Sequence, residues 1–361
     1  MQQIMRGWQR WMRTGVLTVA SVAAVGSIGL GVMAHELGEG GWPFISVDGI
    51  PVPDIGPMPT NVPMPPGNLS HASKVELGKQ LYFDGRLSKS GAISCAFCHN
   101  PGTGFADPRQ TSIGHEGGLG GRQAPTVFNT GFNVFQFWDG RASSLEEQSI
   151  GPIHNPIEMG EMHDPVVEKL NKVSGYNQKF RKVFGTDVNL QGIANAIAAY
   201  ERTVISTNSP FDKFVKGESG AMDDSAVRGM ALFKGKARCI LCHNGPNFTD
   251  NGFHNLGVPQ VGPLKEDLGR YDVTQLESDK GAFKTPTLRS IALTAPYMHD
   301  GAFKTLEEVI DFLDAGGGAN KHLDPFMKPL HLTAKEKADL LAFLKALTGE
   351  TTKFEMPTFP E

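Results

Sequence analysis

Positive charge is the first thing this 361-residue chain is short of: 34 lysines and arginines face 38 acids, a net charge of −4. With no basic excess to neutralise a phosphate backbone, nucleic acid is excluded as a partner. Sustained alternation of apolar and polar residues is also missing, so no segment reads as a strand able to build a sheet. Cysteine is scarce. The four present fall into two equally spaced pairs, Cys95/Cys98 and Cys239/Cys242, with none left over, a pattern that points to two cofactor or metal sites and excludes a disulfide scaffold. At 40% hydrophobic the chain is neither a disordered tail nor a mini-protein, and its length allows two ordinary domains. Glycine (43) and proline (24) are abundant by contrast, so long ordered loops are expected.

Residues 1–34 stand apart. Arg6, Arg10 and Arg13 form a positive start, and Thr14 to Ala34 follows as an uncharged, largely apolar stretch, so the chain is expected to be exported. Val32-Met33-Ala34 resembles a cleavage site, yet about 20 apolar residues also suffice to span a bilayer. A cleaved signal peptide and a retained membrane anchor both stay open. Residues 35–70 read as a Pro-rich tether, with seven prolines between Pro51 and Pro66 favouring extended polyproline conformation.

Beyond the tether the periodic segments are helical and the expected class is mainly α. Capping boxes pair Ser143 with Glu146, Thr305 with Glu308 and Thr333 with Glu336, and Leu190 to Ile205 reads as a further helix. A weak repeat places Gly78-Lys79-Gln80-Leu81-Tyr82 before the first cysteine pair and Gly229-Met230-Ala231-Leu232-Phe233 before the second. Two similar domains in tandem would explain it.

Each pair continues into histidine: Cys95-Ala96-Phe97-Cys98-His99 and Cys239-Ile240-Leu241-Cys242-His243. This spacing lets two thiols close thioether bonds to the vinyl groups of one haem while the adjacent imidazole ligates its iron. A zinc site would need the pairs close enough to share one metal, but 144 residues separate them. Two covalently bound haem c groups are expected. Whatever occupies the far side of each iron then decides between an enzyme and an electron carrier.

Together with these motifs, Ser112-Ile113-Gly114-His115, Ala124-Pro125-Thr126-Val127, Phe137-Trp138-Asp139-Gly140-Arg141, Tyr200-Glu201-Arg202-Thr203 and Thr294-Ala295-Pro296-Tyr297-Met298-His299-Asp300-Gly301 make the chain resemble the bacterial di-haem cytochrome c peroxidases and their MauG-type relatives, over roughly 72–349. The resemblance implies two tandem cytochrome c-type domains, each with one covalently bound c-type haem: 71–208 with the peroxidatic haem held by His99, and 209–361 with the electron-transfer haem held by His243. It implies that His115 ligates the first iron at rest and swings away on activation, that Glu158 is the acid–base carboxylate beside the peroxide, and that Gln148 orients the bound oxygen species. Trp138 matches the indole between the two haems. A calcium ion would take Gln123, where the commoner residue is Asn, with Thr294 and Pro296 supplying backbone carbonyls.

One position departs from the family. Peroxidases offer Met, and MauG-type members Tyr, as second ligand to the C-terminal haem fourteen residues after the position of His299; here that residue is Leu313, which cannot ligate iron. Either that haem is five-coordinate, or Met298, Met327, His322 or His331 serves, with Met298 the leading hypothesis. The implied function is a periplasmic peroxidase reducing hydrogen peroxide to water with electrons from a small cytochrome c or cupredoxin, in a chain open to homodimer formation. The alternatives are a MauG-like oxidase modifying residues of a partner protein and a non-enzymatic electron carrier or peroxide sensor.

Overall fold

The computed structural model describes residues 42–351 and 354–361; the expected signal or anchor segment, 1–34, lies outside them. Eleven α-helices carry the described chain, and its strands form only two-stranded pairs. Among the described residues no helix is long and apolar enough to cross a membrane.

The helices are α1 (Ala72–Phe83), α2 (Cys95–Cys98), α3 (Leu145–His154), α4 (His163–Asn171), α5 (Ser174–Phe184), α6 (Leu190–Glu201), α7 (Pro210–Val215), α8 (Asp224–Lys234), α9 (Tyr271–Thr274), α10 (Leu306–Asp314) and α11 (Ala334–Ala346). Two of the expected capping boxes are complete, at Thr305 with Glu308 and Thr333 with Glu336. The third is displaced by one residue. Ser144 caps α3, its side chain accepting from Glu147 N, while the Glu147 carboxylate accepts from Ser143 N and Oγ. Glu146 is unavailable because Arg202 grips its carboxylate at 2.7 and 3.0 Å and Asn68 donates to it at 2.7 Å. The helix expected over 190–205 ends at Glu201, after which Ser206-Thr207 (β3) pairs with Glu350-Thr351 (β6), while Phe253-His254 (β4) pairs with Phe283-Lys284 (β5).

Two apolar clusters form, one in each half. Leu77, Leu81, Tyr82, Ile193, Ile197 and Tyr200 centre the first, with Cys95 packed against it. Phe211, Phe233, Phe248, Leu340, Phe343 and Leu347 centre the second, with Cys239 packed against it. The glycines of the sequence repeat have the same job in both. A Cβ on Gly78 would lie 1.8 Å from Ala196 O of α6, and one on Gly229 would lie 1.9 Å from Asp339 O of α11. Each glycine lets two helices cross at backbone contact, and the aromatic four residues on, Tyr82 or Phe233, is buried beneath the crossing.

The Pro-rich segment does not behave as the free tether expected from its composition. Phe44–Val47 (β1) and Ile50–Pro53 (β2) form an antiparallel hairpin. Val47, Val52 and Ile55 enter the second cluster, Asp54 pairs with Lys234 at 2.7 Å, and Gly56 O accepts from Arg289 Nη2. Apolar residues between the prolines gain more from burial than an extended solvated strap would retain. Arg289, fully buried, meets Asp212 at 2.7 Å and is the charged centre of this half.

The halves meet through Arg122, whose guanidinium forks between Asp267 (2.7 Å) and Asp139 (2.5 Å). Arg270 reaches back from the second half to the carbonyls of Asp139 and Gly140 at 2.9 Å.

Candidate functional site

Both Cys-x-x-Cys-His histidines are set up in the same way. His99 is half-buried with Nδ1 2.8 Å from Pro125 O, and His243 has Nδ1 2.9 Å from Phe248 O. A carbonyl can only accept, so each Nδ1 carries the proton and each Nε2 lone pair is free for a metal. Burial pushes both imidazoles below the ordinary range, which keeps them neutral and ligand-ready. Tyr82 Oη donates to His99 O at 3.0 Å and fixes the end of α2. All four cysteines are half-buried, and loss of water around its sulfur pushes the Cys239 thiol up to about 12.

His115 sits in the glycine-rich loop as expected, but its ring is turned inward. Its backbone N–H donates to Glu158 O at 2.8 Å, and a Cβ on Gly160 would strike its ring at 2.6 Å. Both ring nitrogens are buried without a hydrogen-bond partner; Glu116 Oε1 approaches Nε2 only to 3.6 Å. A buried imidazole left bare on both sides fits a residue that has a ligand to meet. Glu158 is held in the same strap. Its Oε1 accepts from Asn155 Nδ2 at 2.7 Å, and burial, opposed in part by Arg141 and by that hydrogen bond, raises the carboxyl above its usual range. His115 and Glu158 are thus brought together through their backbones. Gln148 projects from the half-buried side of α3, the helix leading into this strap.

Around the second motif lies a cavity of about 820 Å³, large enough for a porphyrin-sized group. Cys239, Cys242, His243, Trp138, Met298, His299, Leu313, His322 and Met327 share its wall. His331 is exposed and does not line it, so of the four substitutes for the missing ligand this histidine is the one the structure sets aside. Leu313 stands in the wall where the family pattern has Met or Tyr. Met298 reaches the cavity from a left-handed backbone position (φ 72°), and Met327 from the turn that Asp324 builds.

Trp138 bridges the halves. Its Nε1–H donates to Gln123 O at 2.9 Å and its carbonyl accepts from Lys284 N at 2.7 Å. Gln123 is buried, its Nε2 committed to Asp107 O at 3.0 Å, leaving Oε1 as the atom it can offer a cation; Thr294 and Pro296 line the same cavity.

Several residues escaped sequence reasoning. His254 lies between Asp250 (2.9 Å) and Asp324 (2.6 Å) beside Cys242, and these hydrogen bonds hold it charged despite burial. His299 stacks on Phe283 with ring centroids 3.6 Å apart, and burial lowers it to about 4. Lys284 is buried in the cavity wall. His299 belongs to a motif the sequence showed, but neither His254 nor Lys284 sits in a spacing that sequence alone could have flagged.

The residues at 72–220 match the family of di-haem cytochrome c peroxidases. The chain is 42% identical to the cytochrome c551 peroxidase of Nitrosomonas europaea, over 84% of this chain and 90% of that protein. It is 40% identical to the methylamine utilization protein MauG of Methylorubrum extorquens, over 84% of this chain and 86% of that protein. Among solved structures, a MauG-like protein associated with microbial copper homeostasis superposes with a TM-score of 0.75 at 34% identity, covering 81% of this chain and 95% of that one. With 42% identity over 90% of the Nitrosomonas protein and a shared fold, the chain belongs to the di-haem cytochrome c peroxidase and MauG family.

Proposed function

We propose that the protein is a peroxidase that reduces hydrogen peroxide to water with electrons from a small cytochrome c or cupredoxin. It is built as two tandem cytochrome c-type domains, 71–208 and 209–361, each holding one covalent haem c. The observation that carries this reading is the pairing of two ligand-ready histidines with a half-buried carboxyl, Glu158, that acts on Cys98 of the first motif.

Cys95 and Cys98 would tether one haem and Cys239 and Cys242 the other, with His99 and His243 as the fixed iron ligands. Bound there, the pair supplies one-electron storage and an iron at which the O–O bond of peroxide can be cleaved. Glu158, its carboxyl raised by burial, would as carboxylate take the proton from the proximal peroxide oxygen and return it to the leaving oxygen, and Gln148 would orient the substrate. His115 blocks the first site at rest and is released by movement of its glycine-flanked loop. Trp138 carries electrons between the halves, and Met298 completes the second site.

Gln123 with the carbonyls of Thr294 and Pro296 offers three oxygens to a calcium ion, which would need water for the remainder of its shell. The charged start and apolar run in 1–34 support export to the periplasm, as a cleaved chain or an anchored one, and a homodimer is compatible with it. Consumption of peroxide by the two-haem protein with reduced donor tests the reading; a protein inert to peroxide in every redox state would contradict it and favour a carrier. Leucine at 313 supports a second reading, a MauG-like oxidase, whose product would be a modified partner protein.

A further inference from the structure

One buried charge in the second half has no counter-charge. Lys284, at the end of Phe283-Lys284 (β5), is 7% exposed and lines the cavity that Cys242 and His243 also line. Its backbone N–H is used on Trp138 O, and its ammonium makes one hydrogen bond, to the adjacent Thr285 carbonyl at 3.0 Å. Two of its three donors remain. Asp250 is the acid that acts on it electrostatically, but that carboxylate is already committed to His254 at 2.9 Å and Gly252 N at 2.8 Å. No carboxylate among the described residues stands within ion-pair distance of Lys284.

The other buried cations of this half are matched. Arg289 has Asp212, and His254 has two carboxylates. Burial accordingly pushes Lys284 down to about 8, while Asp250 opposes only part of the shift. An ammonium taken out of water without an anion is costly enough that such residues are found paired or neutralised. The cavity wall is therefore missing one negative group at this point.

We propose that Lys284 is the counter-charge of a carboxylate of the haem held at Cys239, Cys242 and His243, one of its propionates, and that this pairing sets the potential of that haem beside Trp138. The proposal rests on the two-haem reading above. Lys284 is a positioning residue: neutralising a carboxylate near iron removes negative charge that would otherwise favour the ferric state.

Spectroelectrochemical titration of the two-haem protein tests it. In Lys284→Met the ratio of reduced to oxidised C-terminal haem at fixed potential should fall about tenfold, a midpoint lower by ~59 mV for one electron. Lys284→Arg, which keeps the charge, should stay within about twofold of the unaltered protein, well inside that tenfold step. An unchanged midpoint in Lys284→Met, or equal falls in both variants, overturns the proposal. Should Lys284→Met fail to take up haem, a crystal structure of the unaltered holoprotein decides. Nζ within ~3.2 Å of a propionate oxygen is expected; no haem oxygen within ~4 Å of Nζ, or a free anion in its place, overturns it. Fewer than two haems per chain by the pyridine haemochromogen assay would overturn the two-haem reading instead.

Discussion

The two Cys-x-x-Cys-His segments share a spacing and an imidazole anchored by a carbonyl, yet their surroundings diverge. Near the first, the Glu158 carboxyl, raised by burial, acts electrostatically on Cys98, and its backbone carbonyl holds His115, whose ring nitrogens are bare, in a segment packed closely at Gly114 and Gly160. Lining the second are two methionines, a leucine where a ligand is expected, and the buried cation Lys284. One motif can therefore serve two purposes, because what lies beyond the histidine decides between proton handling and electron storage.

The largest expected effect separates the halves by chemistry. Glu158→Gln should lower peroxide turnover by about 10²–10⁴-fold, the usual span of a lost acid–base group, with haem content unchanged by the haemochromogen assay. Turnover near that of the unaltered protein would leave both sites chemically equivalent.

Next is the way each core treats charge. Arg289 and Asp212 form a buried pair in the second core, and Arg289→Leu, which strands Asp212, should cost roughly 3–5 kcal/mol in denaturant unfolding. The repeat then offers a test of sameness. Gly78→Ala and Gly229→Ala both drive a Cβ into a backbone oxygen and should destabilise by similar amounts, about 1–3 kcal/mol each; a tolerant second site would break the equivalence of the two helix crossings.

The smallest effect lies with Glu201 in the first core, a carboxyl with an unpartnered Oε2 that burial raises to about 8. Its folded pKa exceeds its unfolded one, so its contribution is complete below about pH 4.5 and is lost as pH rises towards 8. Glu201→Gln, which cannot ionise, should stay close to the unaltered protein at pH 4.5 and gain on it by roughly 1 kcal/mol at pH 5.5. Thermal unfolding at the two pH values reads the difference.

Much of this was legible in the sequence, since helices follow periodicity and capping, and haem attachment follows a five-residue spacing. Thr305 and Thr333 capped where they were expected to. The box at Ser143 shifted because Arg202, 56 residues from Glu146, claimed the acid, and local pattern carries no record of so distant a partner. The Pro-rich segment misled for a related reason. Its prolines announce extended backbone, but Val47, Val52 and Ile55 find their burial only once the second core exists. At the site, His115 and Glu158 could be named from motifs, whereas the unmatched charge of Lys284 emerges only when three-dimensional neighbours are counted.

The substitute for Leu313 is open to direct test, since removing an iron ligand changes the reduced-state spectrum. Met298→Ala should alter it, and an unchanged spectrum would reject Met298 as the ligand.

The unequal duties of the two sites are tested most directly by electron paramagnetic resonance and magnetic circular dichroism of each iron in the fully oxidised and half-reduced protein. On this account the His99 iron carries His115 when oxidised and loses it on half-reduction, becoming high-spin, while the His243 iron stays low-spin with a methionine signature. An iron at His99 that keeps both histidines after half-reduction, or two irons that change together, would contradict it.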